Sequence, residues 1–229
     1  FLVTQGWLTL KYTGSPLWVG VVGGAYGLGI LLSSPVGGVL ADRLNRKWLV
    51  AGAGAIEVAV PLGLASLVAT ETISLWHMVV SSTLFGAAMS VRMPTRHTLI
   101  LDLVGRASLL RGTAGSFMST QLANIVGPLI AGLVLNLVNP AWAYVAVGGA
   151  GITAIGAISR ITYRKPHELE KRNPLRDLRE GLNYVLKTPV LRALLLLAVV
   201  VETFAWPHEW LLPVIANDIL EVGPDGLGY

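Results

Sequence analysis

The chain contains no cysteine and very little charge. Without cysteine there can be no disulfide and no thiolate-held metal, and no redox compartment is implied. Asp, Glu, Lys and Arg make up only 13% of the 229 residues, against roughly 25% in a soluble domain. Hydrophobic residues make up 53%, and the mean hydropathy is +0.64. A soluble globular domain is thereby excluded, and an all-α polytopic membrane protein is expected. An initiator methionine and a basic signal-peptide start are also missing, since the chain opens Phe1-Leu2-Val3. It closes at Gly228-Tyr229, where a further apolar segment would begin. The sequence therefore reads as a fragment cut at both ends.

What the chain does have is long uncharged runs separated by short cationic ones. No charged residue occurs from Tyr12 to Ala41, well beyond the ~20 residues that cross a bilayer. The turn Asp42-Arg43-Leu44-Asn45-Arg46-Lys47 follows, and apolar sequence resumes at Trp48. Residues 1–10 read as the outer half of a first helix and 11–16 as a polar turn. Helix 2 is expected over 18–40, helix 3 over 48–70 and helix 4 over 75–90. The 48 uncharged residues between Arg111 and Arg160 are too long for one span. Asn139-Pro140 divides them, which gives helix 5 over 112–138 and helix 6 over 141–159. Residues 160–192 form a charged segment in which Leu175, Leu178, Leu182, Val185 and Leu186 recur at helical spacing. That pattern predicts an amphipathic helix on the membrane surface. Helix 7 is expected over 193–215, interrupted by Pro207 and Pro213, and a polar turn leads towards an eighth helix. The implied domains are a first bundle (1–160), a cytoplasmic linker (161–192) and the start of a second bundle (193–229).

Counting cations in alternate loops tests this assignment. Sixteen of the seventeen Lys and Arg fall on one side, with Lys11 alone opposite. That side is cytoplasmic by the positive-inside rule. Trp18, Trp76 and Trp142 fall at the opposite ends of their helices, as an interfacial aromatic belt requires. The net charge of +4 is thus a topology signal and a contact for anionic lipid. A nucleic-acid groove would interleave aromatic residues with the cations, so no nucleic-acid partner is expected. Helix 2 carries Gly20, Gly23, Gly24, Gly27 and Gly29. The spacings Gly20/Gly24 and Gly23/Gly27 fit close helix packing. A phosphate-binding loop would need a preceding strand.

The pattern Gly38-x-Leu40-Ala41-Asp42-Arg43-x-x-Arg46-Lys47 resembles the loop between helices 2 and 3 of the major facilitator superfamily. Three other stretches extend the resemblance. Thr13-Gly14-Ser15 before a glycine-rich helix 2, and Met93-Pro94-Thr95-Arg96 with a following loop that contains Asp102, look like the branch related to enterobactin exporters. Gly127-Pro128-Leu129-Ile130-Ala131-Gly132 is similar to the Gly-Pro-x-x-Gly-Gly antiporter motif, with Ala131 in place of one glycine. The resemblance implies six to seven helices of an expected twelve. It also implies a proton-coupled exporter of drug-like or siderophore-like small molecules working by alternating access. The Arg-bearing proton motif of helix 4 is absent, and Arg92 alone stands near its end.

Several residues are candidates for function. Asp42 at a membrane boundary can accept hydrogen bonds from a helix N-terminus or an arginine. It is expected to latch the transporter's halves with Arg43 or Arg92, whereas the plainer reading is a cationic turn. Pro128, flanked by Gly127 and Gly132, either hinges helix 5 or packs it. Glu57 and Glu202 each lie roughly 13 Å into an apolar span at 1.5 Å per residue, where a carboxylate is functional by default. Helix 7 lines the cavity in the family, so Glu202 is the expected proton or cationic-substrate site, and Glu57 is expected to be structural. Trp206, His208, Glu209 and Trp210 would form an interfacial belt in preference to an aromatic substrate lining. Gln121 and Asn124 either join helices or touch substrate. The four histidines are scattered and no second His follows His208-Glu209 at protease spacing, so no metal and no cofactor are expected. No side chains cluster as an enzyme would need. An importer or a non-transporting scaffold or sensor remains the alternative, and the protein is expected to act as a monomer.

Overall fold

The structure is a computed structural model that describes residues 1–163, 183–204 and 208–219. At Asp42, Glu202, Thr203, His208, Glu209 and Asp218 it describes the backbone alone. All regular structure among the described residues is helical. The chain divides into two compact units, one of Phe1–Lys165 with Trp210–Tyr229 and one of Pro166–Glu209.

Local chemistry sets the boundaries in the first unit. Helix α1 (Leu2–Thr13) stops at Gly14, whose φ of 62° is left-handed and whose N–H returns to Leu10 O at 2.7 Å. The polar turn expected at 11–16 is therefore shorter, because Lys11 and Tyr12 remain helical. Pro16 then opens α2 (Pro16–Arg43) at a position that needs no N–H. Leu44 and Asn45 alone connect α2 to α3 (Arg46–Ala69), and Asn45 Oδ1 caps α3 by accepting the Lys47 N–H at 3.1 Å. Ser74 and His77 form a reciprocal cap at the start of α4 (Leu75–Leu137). Asn139 Oδ1 accepts from Ala141 N at 2.9 Å, with Pro140 next, and begins α5 (Pro140–Arg160).

The 63 residues of α4 hold both expected helices 4 and 5. Its backbone leaves helical geometry only at Gly105 (φ 69°, ψ 170°), a conformation essentially reserved for glycine. Residues on either side fold back on each other: Arg96 meets Ser116 and Thr120, and Gly112 faces Ile100 and Val104. We call residues 75–104 and 106–137 the first and second arms. The loop expected between Ser90 and Gly112 is thus mostly helix. Of its arginines, Arg96 hydrogen-bonds across the two arms and Arg92 reaches Glu57 on α3.

The α2 and first-arm backbones approach most closely at two glycines, Gly29 and Gly86, with Gly37 also tight against Val91. A methyl at Gly29 would collide with Thr83 O, and one at Gly86 with Tyr26 O. Of the other helix 2 glycines, Gly23 receives Trp210, while Gly20, Gly24 and Gly27 face open space. The expected Gly20/Gly24 packing is therefore not made among the described residues, and contact runs through Gly23 and Gly29 instead. The core gathers Leu8, Val22, Leu64, Met78, Tyr144 and Trp210. Within it Gln5 is fully buried: its Nε2 donates to Met78 O (3.0 Å) and Ser81 Oγ (3.2 Å), and its Oε1 accepts from Tyr144 Oη (2.5 Å). One amide thereby ties α1, α4 and α5 with both ends satisfied.

Four helices of the described residues are long and apolar enough to cross a membrane, and α4 with its two arms is one of them. In the second unit, α6 (Pro189–Phe204) carries an uninterrupted apolar run from Ala193 to Val201. The helix 7 expected over 193–215 is helical wherever it is described before Ile215, and residues 205–207 within it lie outside the described residues. Helix α6 is described to Phe204, α7 covers His208–Val214, and a π-helical turn follows at Ile215–Ile219. Pro207 and most of the amphipathic stretch 175–186 lie outside the described residues.

Candidate functional site

The site of interest is the cation-rich end of the first unit, where the α2–α3 turn meets the arms of α4 and the end of α5. Asp102 lies three residues before Gly105, at the C-terminal end of a helical arm. A carboxylate there opposes the helix dipole and needs donors. Among the described residues it has two: Arg46 Nη1 at 2.6 Å and Tyr163 Oη at 2.7 Å, both on Oδ2. Arg46 is the first residue of α3 and Tyr163 follows α5, so one carboxylate joins three elements. Burial pushes the Tyr163 phenol up to about 12, and the hydrogen bond to Asp102 and its charge push the same way. Beside this, Lys47 Nζ donates to Ser159 O at 2.8 Å, where a cation suits the C-terminal end of α5.

A second ion pair lies deeper. Arg92 Nε donates to Glu57 Oε1 at 2.7 Å, with side chains 22% and 14% exposed. Arg96 Nη2 donates to Ser116 O at 3.2 Å, to Thr120 Oγ1 at 3.1 Å and to Ser116 Oγ, joining the two arms of α4.

The structure therefore brings together several residues singled out from sequence, in pairings of its own. Arg92, considered as a partner for Asp42, meets Glu57. Arg46 meets Asp102. The Asp42 side chain lies outside the described atoms, and Gly38, one turn earlier on α2, faces open space. Gly127, Pro128 and Gly132 lie in the second arm, whose backbone stays helical through Pro128. Gly132 is buried and Gly127 is exposed. Gln121 and Asn124 lie on the exposed face of that arm, and Asn124 Nδ2 approaches Gln121 Oε1 at 3.5 Å. Glu202 belongs to α6 as backbone alone, and Trp206 lies outside the described residues. Trp210 overturns the belt expectation. It is only 9% exposed, its ring centroid lies 5.6 Å from that of Tyr26, and a methyl at Gly23 would lie 2.8 Å from its Cδ2. A glycine socket on α2 takes the indole into the core.

Tyr163 and Ser159 were not visible as site residues from sequence. A signal existed for Asp102: it is the sole acid between Glu71 and Glu168, in a stretch with Arg92, Arg96, Arg106 and Arg111.

Apolar spanning helices, a two-residue turn held by charge at one end of the bundle and glycine-mediated helix contacts define a polytopic membrane protein of the major facilitator type. The profile of the transmembrane secretion effector family matches residues 2–229, and the chain belongs to that family, one of transporters and not of enzymes. Among similar proteins, the enterobactin exporter EntS of Shigella flexneri is 30% identical over 191 residues, 80% of this chain and 43% of that protein. The enterobactin exporter EntS of Escherichia coli O1:K1 / APEC is 30% identical over 211 residues, 88% of this chain and 47% of that protein. The chain spans about half the length of the curated relatives it matches.

Proposed function

We propose that the protein is a secondary active exporter of drug-like or siderophore-like small molecules in the cell (inner or plasma) membrane, coupled to protons and working by alternating access. The observation that carries this reading is the Arg46–Asp102–Tyr163 junction, which fixes the α2–α3 turn to α4 and α5. Alternating access needs each half to turn as a body, and such a junction serves that end. The similarity to enterobactin exporters supports the outward direction.

In this reading Asp42 is the latch residue. Its partner in the latch is Arg43 or Arg92, of which Arg92 also pairs with Glu57. Glu57 acts structurally, which leaves Glu202 as the candidate for proton coupling or a cationic substrate group. Pro128 with Gly127 and Gly132 shapes the second arm, and Gln121, Asn124 and Trp206 are candidates for substrate contact.

The test uses the intact protein in proteoliposomes with an imposed pH gradient, following lumenal pH while dyes, drugs and siderophores are added. Substrate-dependent proton flux, lost in Asp42→Asn and in Glu202→Gln, is the expected result. Flux that survives Glu202→Gln would remove that residue from the coupling step. Folded protein with no flux for any compound would favour a non-transporting scaffold.

A further inference from the structure

Although two residues join them, α2 and α3 hardly touch along their length. Helix α2 lies on the first arm of α4, while α3 lies on α4 and α5. Between α2 and α3 this leaves a cleft of about 600 Å3, floored by the first arm, within the ~300–1,000 Å3 range of ligand sites. Val36 and Leu40 form one wall, Trp48 and Ile56 the other, and Leu84 and Ala87 the floor. The lining is apolar except for Asn45 at the mouth and Ser33 at the far end. Gly52 widens the cleft, because a methyl there would meet nothing within 4 Å.

The dimensions match one leaflet. From Leu44 to Ser33 the cleft follows eleven residues of α2, about 16 Å at 1.5 Å per residue. Half of a ~30 Å hydrocarbon core is nearly the same length. The cleft therefore begins at the cationic turn and ends near the bilayer midplane. An unfilled apolar cleft would forfeit the dispersion contacts of its walls, and water gains nothing there.

The turn at its mouth carries three cations, Arg43, Arg46 and Lys47, and one acid, Asp42. Lys47 Nζ lies 5.1 Å from the centroid of the Trp48 ring. The ammonium has three donors and gives one to Ser159 O. Trp48 is 62% exposed and lines the mouth, as an indole at a headgroup boundary does. Arg46 in the same turn is paired with Asp102, so Lys47 is the cation argued to meet a headgroup.

We propose that this cleft is a binding site for one acyl chain of an anionic glycerophospholipid from the leaflet on the cationic side, with the tail between α2 and α3 and the phosphate at Lys47 beside Trp48. The site is independent of the transported substrate and of the direction of transport.

The test places the intact protein in nanodiscs containing phosphatidylglycerol with a photoreactive diazirine in mid-chain, and maps the labelled peptides by mass spectrometry. Peptides that contain Val36 and Ile56 should be labelled well above those that contain Leu122 and Leu133, which are also exposed and apolar. Gly52→Phe fills the cleft and should abolish that excess. Ile56→Trp does the same from the other side, should the first variant fail a size-exclusion check of folding. Lys47→Gln should keep tail labelling but lose the preference over an equally labelled phosphatidylcholine. Even labelling of all lipid-facing surfaces, or an excess that survives both filling variants, would overturn the proposal. So would an unlabelled cleft, which would mean that another part of the protein covers it.

Discussion

Glu57 on α3 and Arg92 on the first arm of α4 meet at 2.7 Å, and both are largely withdrawn from solvent. An arginine in an apolar bundle is tolerated here because its charge is answered at contact distance. Removing one member strands the other. Glu57→Gln or Arg92→Leu should each lower stability by about 1–3 kcal/mol, between exposed and fully buried pairs. The double variant should lose less than the two singles combined, as thermal unfolding in detergent would measure.

The α2–α4 crossing makes a sharper prediction. Gly29→Ala and Gly86→Ala each drive a methyl into a backbone carbonyl, so the helices must separate. Overpacking of this kind costs about 1–3 kcal/mol, and a lower folded yield and Tm are expected for both. Gly24→Ala, whose methyl points into open space, is the internal control and should behave as wild type.

Gly105 permits the reversal between the two arms. At φ 69° and ψ 170° an alanine would be strained by about 1–3 kcal/mol. Gly105→Ala should therefore destabilise the protein although nothing lies near that position. Unfolding midpoints of the two proteins check this, and an unchanged midpoint would show that the reversal adopts another geometry.

Tyr163 gives a pH-dependent prediction. Its phenol is pushed up to about 12, above the ordinary tyrosine value of about 10, so the fold favours the protonated ring. That contribution is fully present below pH 10 and is lost as pH rises towards 12. The stability difference between wild type and Tyr163→Phe should be constant from neutral pH to about pH 10 and shrink above it. At neutral pH the variant should lose at most about 1.5–3 kcal/mol, the range for a hydrogen bond to a charged group.

The spans of the first unit and the turns between them were legible in the sequence because their signals are local. The polar turn at 11–16 and Asn139-Pro140 each act within a few residues, whereas the Asn45 cap emerged only from the structure. The helical continuation of α4 past Ser90 was not legible, because Arg96, Arg106 and Arg111 have the composition of a cationic loop. Partners were hidden for a different reason. Arg46 and Asp102 are 56 residues apart and Glu57 and Arg92 are 35 apart, and nothing in helical periodicity chooses between Arg92 and Arg43 as a carboxylate's neighbour. Trp210 was misplaced because its position near a helix end suits a belt, while the socket that takes it, Gly23, lies on another helix. Membership of a family was legible from motifs, which depend on residue identity and not on contacts.

The two-residue turn at Leu44 and Asn45 has a mechanical meaning. So short a joint has no slack, and Arg46, Lys47, Asp102, Ser159 and Tyr163 tie it to its neighbours. The inner tips of α2, α3, α4 and α5 therefore behave as one stapled block. A small tilt imposed at the far ends of these helices is delivered to the cationic mouth as displacement, with little lost to bending on the way.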